Sequence, residues 1–176
     1  MNELEEAMEA RDLYLNIASE IIKIEQHGDE ASLWRAVNEN IIDCLGLDRA
    51  DDEYYPLNPH DEDRTLKHVG DILERHKTEY ESYLEINAGV RTATIKAGGD
   101  SYQVKGRASG HILLAALFKA KAGILEKQFP ILKMMALKEK MEEAQQSMKH
   151  AMKVSQEVQN ALDLLIAEME VEDGED

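Results

Sequence analysis

The stretch MMALKEKMEEAQQSMKHAMKVSQEVQNALDLLIAEM, residues 134–169, decides the fold class. Its seam of Met134, Leu137, Met141, Ala144, Met148, Ala151, Ser155, Val158, Leu162, Leu165 and Met169 advances by alternating steps of three and four. A strand would repeat at two, whereas a period of about 3.5 belongs to a helix whose stripe faces another helix. The spacing therefore predicts a coiled-coil helix over 131–169, followed by an acidic tail, 170–176. Met and Ala stand where a stable zipper carries branched residues, so the seam is soft. Its partner is another copy, the chain's own third helix in antiparallel packing, or a different protein. Leu137, Met141, Met148, Val158, Leu162 and Leu165 are the candidate self-association residues.

Working toward the N-terminus, Ser109 is a good N-cap for a helix with Leu113, Leu117, Ala120 and Ile124 as its stripe. Pro130 interrupts it. A proline inside a helix costs about 3 kcal/mol, which predicts a kink or short break near Phe129. Before Ser109 lies VRTATIKAGGDSYQVKGRASG, residues 90–110, in which AGGD is a turn signal between two short runs of alternating polarity. This predicts a small β-hairpin at 91–105, with a flexible glycine-rich loop as the alternative. In the hairpin, Ile95, Tyr102 and Val104 turn inward, while Thr92, Thr94, Lys96, Ser101, Gln103 and Lys105 form a polar, basic face.

Further back, Leu66, Val69, Leu73, Tyr80, Tyr83/Leu84 and Asn87 suggest a third helix running to about Ala88. Two acidic helices, the second carrying Trp34, Val37, Ile41 and Cys44/Leu45, open the chain as a hairpin over 1–47. Between them and the third helix, residues 48–63 hold two prolines and read as a solvated linker and hinge. The expected class is thus mainly α: a hairpin at 1–47, a central hairpin at 64–130 with a basic glycine-rich insertion, and the long helix.

Charge along the 176 residues is uneven. Residues 1–63 carry 18 acidic and 4 basic side chains, and residues 134–176 are net −7. Residues 91–133 reverse the sign to +6 within a chain of net −16. The cations are Arg91, Lys96, Lys105, Arg107, Lys119, Lys121, Lys127 and Lys133. Two readings stand side by side: the island pairs with the acidic ends of its own chain, or it meets a polyanion, DNA above all.

Catalytic signatures are missing. GRASG at 106–110 is one residue off a nucleophile elbow, and KAGGDS lacks the spacing of a phosphate-binding loop. PHDED at 59–63 gathers a histidine and three carboxylates, better suited to helix capping than to a cation. No histidine has a glutamate three residues before it, so the Glu-x-x-His pair of di-iron bundles is missing, and with no other ligand motif in the sequence neither a metal nor a cofactor is expected. His68 and His76 lie near one helix face as ordinary side chains. Cys44 is the only cysteine, which excludes an internal disulfide and suits a reducing compartment. The longest apolar run, Ile112–Phe118, is far short of the roughly 20 residues of a membrane span, and the acidic start is unlike a secretory leader. A cytoplasmic location is expected, the host cytoplasm if the chain is viral.

The order of a charged helix at 64–88, a turn, ILLAALFKAKAGILEKQ, a charged coiled coil and an acidic tail resembles the small terminase subunits of T4-like tailed phages. That resemblance covers residues 64–176. It implies a non-enzymatic protein that assembles into rings, engages phage DNA and stimulates the large packaging ATPase, a larger motor or enzyme subunit met through the acidic tail, 170–176. The glycine-rich insertion and the acidic first 60 residues depart from that pattern. ILLAALFKAKAGILEKQFPI, residues 112–131, is also similar to the last helix of T4-type recombination mediators, which implies single-stranded DNA binding. The leading expectation is a self-associating accessory protein of a DNA-handling machine. Its rival is an acidic inhibitor, or DNA mimic, whose N-terminal carboxylates occupy a basic groove on an enzyme.

Overall fold

The computed structural model describes residues 3–27, 31–47, 55–58 and 60–172. In chain order it places α1 (Glu3–His27), α2 (Ala31–Leu45), α3 (Glu62–Arg75), β1 (Glu81–Asn87), β2 (Val90–Ala97), β3 (Asp100–Gly106) and α4 (Ser109–Glu172). The chain is mainly helical, with a long C-terminal helix and a small antiparallel sheet of order β1-β2-β3. Two compact units divide at Phe129/Pro130.

A single core fills the first unit. Ile17 and Ile21 of α1, Val37 and Ile41 of α2, Val69 and Ile72 of α3, Ile95 and Val104 of the sheet, and Ile112 to Phe118 of α4 share it. Every residue from His111 to Phe118 is buried, which explains the unbroken apolar run ILLAALF: a helix enclosed on all sides has no polar face. Phe118 is completely buried, its ring 5.8 Å from that of Tyr14. Trp34 meets Tyr55 edge-on at 5.6 Å.

Glycine lets α4 approach its neighbours. A Cβ at Gly110 would lie 2.7 Å from Thr65 Cγ2 and 2.9 Å from the Leu66 amide, and one at Gly123 would fall on the Tyr102 ring. Carboxylates from elsewhere in the chain finish the helix. Glu25 accepts the amides of Arg107 and Ala108, and Glu62 accepts that of Ser109, so the positive end of the helix carries negative charge.

Four sequence expectations change. The third helix ends at Arg75, and residues 81–87, expected as its last two turns, form β1 instead. Asn87-Ala88-Gly89-Val90 is the turn that makes this possible, with positive φ at Ala88 (50°) and Gly89 (80°), the twist a tight hairpin needs. The hairpin expected at 91–105 is therefore two strands of a three-stranded sheet. Its second turn, at Gly98 and Gly99, likewise has φ of 57° and 86°.

Within the segment expected as a solvated linker, Tyr55, Pro56 and Leu57 are buried. Asn38 holds them there: its side-chain oxygen accepts the Leu57 amide at 2.9 Å, and its nitrogen donates to the carbonyls of Leu57 and Trp34. Residues 48–54 and 59 of that segment lie outside the described residues. Finally, α4 passes through Pro130 without a break in secondary structure. Proline removes one backbone hydrogen bond, a small loss for a helix of 64 residues, and Pro130 itself is exposed, where water can serve the freed carbonyl.

Burial pushes the His111 imidazole below its ordinary value, against the smaller opposing pull of Glu25 and Glu62, and its Nδ1 has no hydrogen-bond partner among the described residues. A group whose folded pKa is depressed below about 6.5 takes up its proton first in the unfolded chain. Its stabilising contribution is complete above pH 6.5 and is lost as pH falls toward the folded value. Urea midpoints measured between pH 7.5 and 5.5 are expected to fall in the wild type and to fall less in His111→Gln.

Candidate nucleic-acid interface

Strand pairing builds the outer face of the sheet in three rows. Glu81 opposes Lys96, which opposes Ser101; Tyr83 opposes Thr94 and then Gln103; Glu85 opposes Thr92 and then Lys105. Side chains alternate across a strand, so all nine point away from the core face that carries Ala93, Ile95 and Val104. Lys96, Ser101, Gln103 and Lys105 are exposed, and Thr92 and Thr94 are half-buried. The polar face expected from the alternation of β2 and β3 is present with both of its lysines, but β1 sets two glutamates beside them, so the whole face is not basic.

β1 adds what the sequence reading missed. Tyr83 lies on this face, 45% exposed, with the Lys96 ammonium 4.7 Å from its ring centroid and its hydroxyl donating to Glu81 at 2.8 Å. Glu81 and Glu85 line the β1 side, so positive charge is concentrated toward β3. The alternation of ESYLEIN and the turn after it were the signals that could have revealed this strand.

Of the eight cations, the seven candidate nucleic-acid-binding residues, Arg91, Lys96, Lys105, Arg107, Lys119, Lys121 and Lys127, lie in the first unit and fall into distinct settings. Arg91 sits at a core-face position of β2 opposite Gly106, and there it ion-pairs with Glu62 and donates to Ser109 Oγ at 3.0 Å. Lys127, on α4, pairs with Asp100 at 2.7 Å and donates to the Gly98 carbonyl, which ties the β2–β3 turn to the helix. These two serve the fold. Lys121 lies 5.4 Å from the Tyr14 ring centroid and, like Lys119, is half-buried on α4. Lys105 and Arg107 are exposed and form no ion pair with a described carboxylate, although the Arg107 backbone is fixed by Glu25. Lys96, Lys105 and Arg107 are thus the cations on or beside the open face.

In the second unit, the candidate self-association residues stand exposed: Leu137 at 63%, Met141 at 62%, Met148 at 66%, Val158 at 55%, Leu162 at 48% and Leu165 at 56%. The tail from residue 173 lies outside the described residues. Asp61 of the PHDED segment caps α3 by accepting the Arg64 amide at 3.0 Å. Among the described residues no cluster of three metal-ligating side chains occurs, and no helix is long and apolar enough to cross a membrane.

The fold and this face define a mainly helical protein with a small antiparallel sheet, whose open face carries two lysines and two glutamates. Comparison with known proteins adds no relative: no protein family, curated protein or solved structure matches the chain.

Proposed function

We propose that this chain is a non-enzymatic, self-associating accessory protein of a DNA-handling machine, in its sharpest form the small terminase subunit of a packaging motor. The observation that carries the reading is the open β2–β3 face, where Lys96 and Lys105 frame Thr92, Thr94, Ser101 and Gln103, with Arg107 beside them. Ammonium and guanidinium groups neutralise phosphates while hydroxyls and amides hydrogen-bond them, a chemistry that positions a backbone without reading its sequence. One copy binds weakly, and self-association multiplies the contacts.

Salt-dependent binding of duplex DNA tests this. The triple variant Lys96→Gln, Lys105→Gln, Arg107→Gln leaves the Arg91–Glu62 and Lys127–Asp100 pairs intact. With each phosphate contact contributing about 0.9 to the log–log slope, the variant is expected to bind more weakly with a slope smaller by about 2–3. Equal binding and equal slopes remove the face from the reading.

A second reading draws on α1, whose first turns expose Glu3, Glu6 and Glu9. Those carboxylates suit an inhibitor that imitates DNA in a partner's basic groove. Under it neither wild type nor variant binds DNA.

A further inference from the structure

The helix of the second unit, described to Glu172, carries an apolar stripe, and the sequence of residues 131–176 is strongly polarised in charge. Residues 131–153 carry five lysines and three glutamates, net +2, whereas residues 154–176 carry eight carboxylates and no lysine or arginine. We propose that a second copy of this chain covers the stripe of residues 131–169, and that the two helices run antiparallel about a two-fold axis near Lys153. This rests on the self-associating part of the reading above and is independent of its DNA-binding part.

Charge argues for the direction. Side-by-side parallel helices would set the two acidic ends against each other, and would place Lys133 of each copy against Lys138 of the other at the positions flanking the seam. Antiparallel helices lay each basic half along the partner's acidic half. With the axis at residue 153, the flanking register position of residue 140, a lysine, falls opposite position 168, a glutamate in the sequence. The ion pairs already present within this helix, Lys138–Glu142 at 3.8 Å and Lys153–Glu157 at 3.9 Å, are loose and exposed, and leave these charges able to respond to a partner.

Side-chain size argues for the same direction independently. The seam is narrowest at Ala151 and Ser155, and the residues flanking that point are Met152, 66% exposed, and Val154, 44% exposed. In the antiparallel arrangement Met152 meets Met152 of the other copy and Val154 meets Val154, which covers the thin centre with apolar atoms on both sides. In the parallel one they face Ser147 and Gln159. Away from the axis, Met141 opposes Leu165 and Met148 opposes Val158, and Ala144 meets the larger Leu162 instead of the second alanine it would face in a parallel pair. A symmetric pair of this kind is closed, because the same face serves both copies.

Spin labels read the direction directly. In a full-length Cys44→Ser background, Glu139→Cys and Lys153→Cys each place one label on the helix face opposite the seam. At 1.5 Å per residue, the antiparallel pair puts the two residue-139 labels roughly 45 Å apart and the two residue-153 labels roughly 20 Å apart. Equal short distances at both sites mean parallel helices and overturn the proposal. Absence of dipolar coupling at tens of micromolar, with a monomer in sedimentation equilibrium, overturns it as well. Neither result bears on the open sheet face, whose DNA test is separate.

Discussion

Phe118→Ala is expected to destabilise the first unit by about 3–5 kcal/mol in urea denaturation, the cost of emptying a fully enclosed aromatic site. Phe118 is 0% exposed, in the middle of the ILLAALF run, with the Tyr14 ring at 5.8 Å. It joins helices distant in sequence, so the vacated space cannot close without moving α1 or α4. Domains of this size are stable by about 5–15 kcal/mol, so the substitution removes a large part of the margin. Phe118→Leu, which keeps most of the volume, is the control and is expected to cost under half as much. A loss below 1 kcal/mol for the alanine variant would show that the α1–α4 contact is not the keystone of this core.

Asn38→Leu is expected to cost about 2–6 kcal/mol, for a reason of another kind. Asn38 is 0% exposed, yet it is kept polar because it acts as a piece of backbone: one side-chain oxygen and one nitrogen pair with the amide and carbonyl of Leu57. Leucine fills the space but leaves both Leu57 groups buried and unpaired, each at about 1–3 kcal/mol. The same reasoning predicts that Asn38→Asp, which keeps the acceptor and loses the donor, is also destabilising near neutral pH. Hydrogen exchange at the Leu57 amide is the direct measurement, since its protection should collapse in the leucine variant. Retained protection there would mean that the segment is held by its apolar contacts alone.

Much of this architecture was legible. The heptad spacing announced the long helix, and the alternation around AGGD announced β2 and β3 with the right residues inward, because both patterns are local. β1 was misread because Tyr80 and Tyr83/Leu84 continue the three-and-four spacing of α3 by coincidence. None of its seven residues is buried, so no apolar stripe corrected the reading. Leu57 was hidden among prolines and carboxylates, and only its partner Asn38, 19 positions away, explains why it is inside.

The candidate face was legible in its charge and illegible in its pairing. Composition sees Arg91 and Lys105 as equals. Strand parity separates them, sending Arg91 to the core side, where Glu62 awaits it from 29 positions earlier in the chain, and Lys105 to the open side. Likewise Lys127 lies 27 residues after Asp100, a distance that only the hairpin and α4 together bridge. A sum of charges finds a patch. The register decides which of its members are free to act.

The edge-on contact of Trp34 with Tyr55 gives the molecule a natural optical division of labour. Trp34 is the sole indole, and every aromatic residue of the chain lies at or before Phe129. Emission and near-ultraviolet dichroism therefore report on the first unit alone, while the peptide band near 222 nm is fed by both. A melt in which these two signals part company tells, without any label, which end of the chain has come undone.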